Sequence, residues 1–342
     1  MQIRIESFGE FNGQPVKEIF ITNEHDITLS FLTLGARINR FLVGEDNIIL
    51  GFDNMQTLLD NRELYYGATI GPVSGRIAQG CAYVGEQELL LEKNDGSHHL
   101  HGGYSGYDWQ IWDFELLDDN TGIKFYLMTG HLSNGYPGNV KVAVTHSLNN
   151  DNEWLVTYEA QSDCKTLFDP TNHVYFNLNG QSSQTIKNHY LKVNASYYYP
   201  VTEEAIQYDE PESVTSTPFD FRKGRQLGLS IDDLHEQIQM VNGIDHPFIF
   251  DDTTPQIELM SPTTKRKIII ETEAPGAVIY THNKVPKNLN IFAKEVQPYA
   301  GIAIEPQILL GNTLKGIDPI ILDENQLFKS QTKYSYIEVR SE

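Results

Sequence analysis

Polar and apolar residues alternate along much of this chain, and this two-residue period constrains the fold more than any other feature of the sequence. Clear examples are residues 123–128, 140–147, 154–160, 267–272 and 334–339, which are rich in β-branched and aromatic side chains. Alternation of this kind predicts strands with one face buried and the other exposed. Polar turn clusters separate these segments, so the sequence predicts a protein built largely of strands.

The N-terminal region shows the same period, and helical patterns are rare. Residues 16–21 and 27–34 predict an N-terminal hairpin, while residues 54–59 and 231–238 each predict a short helix. Strands do not alternate with helices, so a parallel sheet is not expected. We found no repeat and no linker rich in Pro, Ser or Gly. We therefore predict an all-β fold of stacked antiparallel sheets, with residues 1–342 forming a single large domain.

Two long polar connections are candidates for carrying a functional site. They span residues 92–106 and 202–220. Loops that run over a rigid sheet are where binding and catalytic groups concentrate. We therefore expect both connections to extend over one face of the sheet.

Charge and composition exclude several classes of function. The formal net charge is −21, from 25 basic and 46 acidic residues. Such a field repels nucleic acids and anionic membrane surfaces. No stretch reaches the roughly 20 apolar residues of a membrane span, and the first six residues lack the pattern of a secretion signal. We expect a cytoplasmic protein in which Cys81 and Cys164 are free thiols.

Two polar residues lie in apolar surroundings far apart in the sequence. Glu305 follows the apolar run 301–304, which predicts a buried strand, and His173 precedes Val-Tyr-Phe at an apolar strand. A buried carboxylate and a buried imidazole are the groups that an acid/base pair requires. The alternatives are a carboxylate paired with a structural cation and a hydrogen-bonded core histidine.

Arg76 and Asp245 are candidates for hydrogen bonding to a ligand. Arg76 follows small residues in Gly-Pro-Val-Ser-Gly (71–75), and Asp245 precedes His-Pro. A guanidinium is a donor to sugar hydroxyls or carboxylates, whereas a carboxylate is an acceptor from hydroxyls. The alternatives are a structural ion pair for Arg76 and a simple turn for Asp245.

Three neighbouring histidines invite comparison with a metal site. They are His98, His99 and His101, but no second Cys or His cluster with ligand spacing accompanies them. We therefore predict no metal and no cofactor. Gly102 and Gly103 permit a tight turn that brings His101 close to a ligand, so a sugar-binding role is one interpretation and plain loop histidines are the other.

Aromatic side chains offer flat surfaces for the apolar faces of sugars. The chain has 16 Phe, 18 Tyr and 3 Trp, so most of these rings must be core residues. Tyr107, Trp112 and Tyr280 are candidates, but composition does not separate them from the core.

Taken together, these segments resemble the aldose 1-epimerases, also called galactose mutarotases. Each segment is short, and their common order along the chain makes the resemblance specific. The matching segments are Leu-Gly-Ala-Arg (34–37), Ile-Leu-Gly-Phe-Asp (49–53), Gly-Ala-Thr-Ile-Gly-Pro (67–72), Gly-Arg-Ile (75–77), Leu-His-Gly-Gly (100–103), Gly-Tyr-Pro-Gly (135–138), Thr-Asn-His-Val-Tyr-Phe-Asn-Leu (171–178), Thr-Pro-Phe-Asp-Phe-Arg (217–222), Gly-Ile-Asp-His (243–246) and Glu-Pro-Gln (305–307).

The resemblance implies a β-supersandwich with a hexose site on its concave face. By position, Glu305 matches the family's general base and His173 its general acid. The family's sugar-binding positions fall on Arg76, His101 and Asp245, with Tyr175 and Tyr280 close to further binding positions. A base must be ionised, so we expect that burial does not raise the pKa of Glu305 far.

Three segments depart from the family pattern. Thr-His-Asn-Lys-Val-Pro (281–286) is only partly like the family's Thr-Gly-Asn stretch. Residues 308–312 lack the usual Pro-Asp, and residues 206–209 lack the usual Pro-x-Gly turn. We expect these departures at the rim of the site, where they bear on substrate preference rather than on the reaction.

The predicted function is interconversion of the α and β anomers of free hexoses such as galactose and glucose, by an isomerase that is a monomer or a homodimer. Alternatives are epimerisation of a hexose 6-phosphate, which requires more cations than Arg76 alone, and non-catalytic sugar binding, which requires no acid/base pair. Glycoside hydrolysis would use two carboxylates, for which Asp245 and Glu305 are candidates, but would leave His173 without a role.

Overall fold

The structure is a computed structural model that describes residues 1–180, 184–309 and 320–339. Strands dominate it, and every pairing between its named strands is antiparallel. Three larger sheets of five, nine and six strands carry most of the chain, and five two-stranded ribbons join them.

The five-stranded sheet contains the predicted N-terminal hairpin. Its strands follow each other in chain order, since each is joined to the next by a short connection. At Asn12 and Gly13 the first of these connections has positive φ values, the conformation that tight hairpin turns require. The strands are β1 (Gln2–Phe11), β2 (Gln14–Thr22), β3 (Ile27–Leu32), β4 (Arg37–Val43) and β5 (Asp46–Asn47).

The nine-stranded sheet contains the segments whose alternation was clearest. Along the strand Val140–Leu148, every second side chain is buried and the side chains between them are partly or fully exposed, as the sequence predicts. In spatial order its strands are β11 (Asp113–Leu116), β12 (Gly122–Thr129), β13 (Val140–Leu148), β14 (Glu153–Ser162), β30 (Phe328–Glu338), β24 (Arg266–Thr272), β23 (Ile257–Met260), β18 (Tyr190–Val193) and β21 (Arg225–Gln226). The last strand of the chain, β30, therefore lies in the middle of this sheet.

The six-stranded sheet carries several of the predicted site residues. In spatial order its strands are β17 (Tyr175–Phe176), β28 (Ile302–Gln307), β25 (Gly276–Tyr280), β22 (Asp245–Ile249), β19 (Tyr197–Tyr198) and β20 (Glu212–Ser213). All six residues of β28 are buried, and Glu305 lies inside this strand rather than after it.

Five short ribbons connect the sheets. They pair β6 (Thr69–Ile70) with β16 (Thr171–Asn172), β7 (Arg76–Ile77) with β10 (His99–Leu100), β8 (Cys81–Val84) with β9 (Gln87–Leu90), β15 (Thr166–Leu167) with β29 (Ile321–Leu322), and β26 (Asn290–Ile291) with β27 (Lys294–Glu295). His173 was predicted at an apolar strand, and it lies in the short break between β16 and β17. There its backbone N–H donates to the Ala68 carbonyl at 2.9 Å instead of to a sheet neighbour.

The main hydrophobic core lies between the three larger sheets. One cluster contains Ile21 from β2, Trp154 from β14, Phe248 from β22, Ile304 from β28 and Tyr334 from β30. Apolar side chains from opposing sheets thus bury one another, as stacked sheets require.

Helices are few in the described residues, as predicted. The α-helices are α1 (Met55–Asp60), α2 (Leu227–Ile231) and α3 (Glu236–Val241), and single 3₁₀ turns occur at Arg62–Leu64, Ala78–Gly80, Tyr107–Trp109, Ser133–Gly135 and Ile186–Asn188. The prediction of short helical turns at 231–238 is confirmed only in part, because α2 ends at Ile231, α3 begins at Glu236, and residues 232–235 between them are not helical. Between them the side chain of Asp233 accepts the backbone N–H of His235, and the side chain of His235 accepts the backbone N–H of Gln237 and so caps the start of α3.

The fold is therefore the all-β antiparallel supersandwich that the alternation and the resemblance predict. Over the same described ranges, no helix is long and apolar enough to cross a membrane.

Candidate active site

A cavity of about 650 Å³ opens on the face of the six-stranded sheet. Strands of that sheet form its floor, and the two long polar connections predicted from the sequence contribute to its walls through Asp95 and Glu203. All seven of the predicted site residues line this cavity: Arg76, His101, His173, Tyr175, Asp245, Tyr280 and Glu305.

Glu305 and His173 meet at the floor of the cavity. Nε2 of His173 lies 3.3 Å from Oε1 of Glu305, and both residues are almost completely buried. Oε2 of Glu305 and Nδ1 of His173 are buried without a hydrogen-bond partner. Each group therefore retains bonding capacity that the protein itself does not fill.

Burial strongly favours the neutral form of the Glu305 carboxyl. Desolvation raises its pKa to about 8, with a further contribution from the negative charge of Asp245, while Arg76 acts in the opposite direction. The expectation that burial leaves the pKa of Glu305 nearly unchanged is therefore wrong. The strand that places this carboxyl beside His173 also removes it from water.

His173 shifts in the complementary direction. Desolvation lowers its pKa to about 3, and the nearby cation Arg37 contributes to the same shift. A carboxyl with a raised pKa and an imidazole with a lowered pKa, in contact with each other, share a single proton over the pH range between those values. The pair titrates as a unit, so its apparent pKa values belong to both residues together.

His101 is fixed as a hydrogen-bond donor. Its Nδ1 accepts the backbone N–H of Gly75 at 3.2 Å, so in the neutral ring the proton must be on Nε2. Burial, followed by the neighbouring His173, lowers the pKa of His101 well below its usual value and keeps the ring neutral. The two histidine rings meet edge to face, with centroids 5.2 Å apart.

His101, His173 and Glu305 bring possible metal ligands within 4.8 Å of one another. A histidine that binds a metal normally donates its other ring N–H to an acceptor. His101 does the reverse, because its Nδ1 already accepts from Gly75. The N–H of its Nε2 is therefore suited to donate to a hydroxyl rather than to coordinate a cation.

Arg76 lies between two carboxylates in one wall of the cavity. Its Nε donates to Oδ2 of Asp95 at 2.7 Å. Burial opposes its charge, but Asp245 and Asp95 outweigh this effect and raise the pKa of Arg76. For Asp245, burial raises the pKa more than Arg76 lowers it. The wall thus offers a permanent cation and a carboxyl that is a hydrogen-bond acceptor when ionised.

Tyr175 and Tyr280 form an aromatic side of the cavity. The ring of Tyr175 lies 4.9 Å from that of His173, and Tyr280 meets Tyr175 edge to face at 6.0 Å. The hydroxyl of Tyr280 accepts the backbone N–H of Lys284 at 3.1 Å. Antiparallel pairing of β22 with β25 places Asp245 directly opposite Tyr280.

Several lining residues were not predicted from the sequence. Tyr65 stacks on His173 at 5.8 Å and meets His101 edge to face at 4.8 Å. Gln307, by contrast, belongs to the matched segment Glu-Pro-Gln (305–307) and also lines the cavity, because residues two apart in a strand share one face. No local pattern in the sequence distinguishes Tyr65 from a core residue. His282, which also lines the cavity, belongs to the departing segment 281–286 that was expected at the rim of the site, but no role was predicted for it.

Other candidates from the sequence belong to the structure of the protein rather than to the site. Tyr107 and Trp112 pack edge to face in the main core. His99 donates from Nδ1 to the Glu92 carbonyl and accepts the Tyr136 hydroxyl at Nε2. His98 does line the cavity, where its Nε2 lies 3.2 Å from the Glu204 carboxylate at the rim.

Two of the three segments that depart from the family pattern, 206–209 and 281–286, border the cavity. Gln207, Asn283, Lys284 and Pro286 are among the lining residues. Of the segment 308–312, residues 310–312 lie outside the described residues.

Comparisons with known proteins find relatives along nearly the whole chain. The sequence profile described as Aldose 1-epimerase matches residues 17–335. The chain is 31% identical to galactose mutarotase of Mus musculus over 310 residues, covering 88% of each chain. It is 31% identical to aldose 1-epimerase of Streptococcus thermophilus over 355 residues, covering 98% of this chain and 99% of the relative.

A solved structure extends the similarity to the fold. The structure of galactose 1-epimerase from Lactobacillus acidophilus superposes with a TM-score of 0.90 at 30% identity and covers 99% of both chains. The supersandwich, the cavity on its six-stranded sheet and the match along nearly the whole sequence lead to one conclusion: this chain belongs to the aldose 1-epimerase family.

Proposed function

We propose that this protein is an aldose 1-epimerase, an isomerase that interconverts the α and β anomers of free hexoses such as galactose and glucose. The observation that carries the proposal is the buried contact between Glu305 and His173 at the floor of the cavity. Family membership supports the reaction class, and the roles given to individual residues below are part of the proposal.

The reaction needs only two proton transfers. The Glu305 carboxylate removes the proton of the C1 hydroxyl while protonated His173 gives its proton to the ring oxygen O5. The C1–O5 bond then breaks and leaves the open-chain aldehyde. Rotation about C1–C2 and closure by the reverse transfers give the other anomer. Each positioned transfer contributes roughly 10²–10⁴-fold to the rate.

The shared proton suits this cycle. With the proton on His173 the pair is ready to open the ring, and with the proton on Glu305 it is ready to close it. The pH range between the shifted pKa values holds one proton on the pair, so both arrangements occur without exchange with solvent. The proposal therefore involves no metal and no cofactor.

The surrounding groups are proposed to hold the sugar. Arg76 and the Nε2–H of His101 are donors to sugar oxygens, and Asp245 is an acceptor for hydroxyl protons. Tyr175 and Tyr280 border the ring. Which of these groups donates a hydrogen bond and which accepts one follows from their charges and from the tautomer of His101.

A hexose 6-phosphate is a less suitable substrate. Of the residues that line the cavity, Arg76 and Lys284 are basic, whereas Glu63, Asp95, Glu203, Glu204 and Asp245 are acidic, in addition to Glu305, whose neutral form is favoured by burial. Arg76 is already paired with Asp95. A phosphate dianion would therefore enter a region of negative potential.

The direct test is polarimetry of freshly dissolved α-anomers of galactose, glucose and galactose 6-phosphate, after subtraction of the spontaneous rate. We expect rapid catalysed mutarotation of the free hexoses and a much lower kcat/KM for the phosphate. Failure to accelerate any free aldose would refute the proposal. Release of reducing sugar from a disaccharide would instead favour hydrolysis.

The remaining parts of the proposal concern the whole molecule. We infer one domain over residues 1–342, a monomer or homodimer, and a cytoplasmic location, with no nucleic acid or membrane partner. The shared core between the three larger sheets supports the first of these.

A further inference from the structure

His282 is a buried histidine in the cavity wall that the proposed reaction does not use. The side chain of His282 has no exposed surface. Its φ of +51° lies in the left-handed region, which favours glycine. A side chain is therefore present where the backbone conformation would be easier without one.

The backbone on both sides of His282 is firmly held. The hydroxyl of Thr281 donates to Oδ1 of Asn283 at 2.6 Å, and Nδ2 of Asn283 donates to the carbonyls of Val241 and Ile244 at 3.0 Å each. The carbonyl of His282 itself accepts the backbone N–H of Tyr299. These bonds fix the point from which the imidazole projects.

In the cavity wall, the imidazole of His282 packs against the two tyrosines of the aromatic side. Its Nε2 lies 2.9 Å from the hydroxyl of Tyr66, a fully buried residue, and this hydrogen bond fixes the plane of the ring. The ring meets Tyr175 edge to face at 5.1 Å and Tyr280 edge to face at 6.4 Å. Tyr66 in turn meets Tyr175 edge to face at 5.1 Å.

From these contacts we propose that His282 is a positioning residue of the sugar site, which holds the rings of Tyr175 and Tyr280 in place for the substrate. The inference rests on the proposed function, since it assumes that these two rings border a sugar. His282 acts through the tyrosines and does not take part in the proton transfers.

The first test is replacement of His282 by Gly, which suits the backbone conformation but removes the ring. We expect KM for galactose to rise about tenfold while kcat falls less than threefold, because ring support contributes to binding rather than to proton transfer. His282→Gln, whose amide reaches toward Tyr66, should recover part of the loss. A KM within twofold of the wild-type value in the Gly variant would overturn the proposal.

A control variant separates positioning from general loss of a buried ring. His146 is also completely buried, but it stacks on Phe31 and Trp154 in the main core, away from the cavity. His146→Ala should lower the thermal midpoint and leave KM for galactose within twofold. An equal rise of KM in both variants would mean that His282 is merely structural.

A double variant tests the route of the effect. If His282 acts through the tyrosines, His282→Gly should raise KM less in a Tyr280→Ala background than in the wild-type protein. If the rise in KM of the double variant equals the product of the rises in the two single variants, the proposal is contradicted.

Calorimetric titration with galactose separates this inference from the proposed function. A wild-type protein that binds galactose without epimerising it would refute the reaction, and the dissociation constants of the same variants would still test His282. Absence of galactose binding by the wild-type protein would overturn both.

Discussion

Nε2 of His173 lies 3.3 Å from Oε1 of Glu305, and this contact joins two residues separated by more than a hundred positions in the chain. Burial disfavours charge on both partners, which raises the pKa of the carboxyl and lowers that of the imidazole. A single proton shared between an acid and a base is the consequence, and four predictions follow from the geometry around it.

Replacement of Glu305 by Gln should abolish most activity without disturbing the fold. The amide has the shape of the protonated carboxyl that burial favours at neutral pH, so thermal midpoints at pH 6 should agree within a few degrees. We expect kcat for galactose to fall by roughly 10²–10⁴-fold, measured by polarimetry, because the amide takes no proton. Glu204→Gln, which removes a rim carboxylate from the same cavity, is the matched control and should stay within threefold. Near-normal turnover in Glu305→Gln would remove Glu305 from the mechanism.

The pH dependence of kcat/KM should be that of the pair and not of an isolated base. Between the lowered pKa of His173, about 3, and the raised pKa of Glu305, about 8, the pair retains one proton. We therefore expect a plateau from about pH 5 to pH 7 and a decline above about pH 8, where that proton is lost. The measurement is enzymatic mutarotation corrected for the spontaneous rate at each pH. A tenfold rise between pH 6 and pH 8 would instead indicate a base that works independently of His173.

The unfolding free energy should also depend on the protonation of the buried Glu305 carboxyl. The folded pKa of Glu305, about 8, exceeds that of an unfolded glutamate, so between those values the folded state keeps a proton that the unfolded state has released. The stabilisation is complete below the unfolded pKa, decreases as pH rises, and is lost once pH passes about 8. Relative to Glu305→Gln, the wild-type protein should lose about 1 kcal/mol of unfolding free energy per pH unit from pH 6.5 to pH 8. Urea denaturation of both proteins at several pH values tests this, and parallel curves would contradict it.

His101 should be replaceable only by a residue that donates at the position of Nε2. The backbone N–H of Gly75 occupies Nδ1, which leaves the Nε2–H for the substrate. The amide of His101→Gln can place a donor near that position, whereas His101→Leu cannot. We expect the Leu variant to lose roughly tenfold or more in kcat/KM, as for a lost hydrogen bond of 1–3 kcal/mol, and the Gln variant to lose less. Equal losses in the two variants would show that donation from Nε2 is not what His101 contributes.

The strands were predictable because alternation is a local signal that burial of one sheet face imposes. The nine-stranded sheet shows this in β13 and β14, in which every second side chain is buried. The helical turns predicted at 231–238 were confirmed only in part, because Asp233 bonds locally to the backbone N–H of His235, and His235 caps a new helix, α3; apolar spacing does not reveal such an interruption.

The candidate site was predictable where a residue contradicts its local pattern. Glu305 was conspicuous as a carboxylate in an apolar strand, and all seven predicted residues line one cavity. Tyr65 was not found, and His282 was noted only as part of the departing segment 281–286, since the contacts of both residues are with rings that are distant in sequence. The pKa of Glu305 was misjudged for the same reason, because the degree of desolvation depends on how the complete cavity is assembled.

The position of β30 has a consequence for how the protein is made. This strand, Phe328–Glu338, lies between β14 and β24 and hydrogen-bonds to both along most of its length. Until the ribosome has synthesised and released these residues, the two halves of the nine-stranded sheet have unpaired edges facing each other. Edges of that kind are templates for aggregation. The nascent chain is therefore most vulnerable while residues 328–338 are not yet available for pairing, and a premature stop before residue 328 should yield insoluble protein rather than a smaller enzyme.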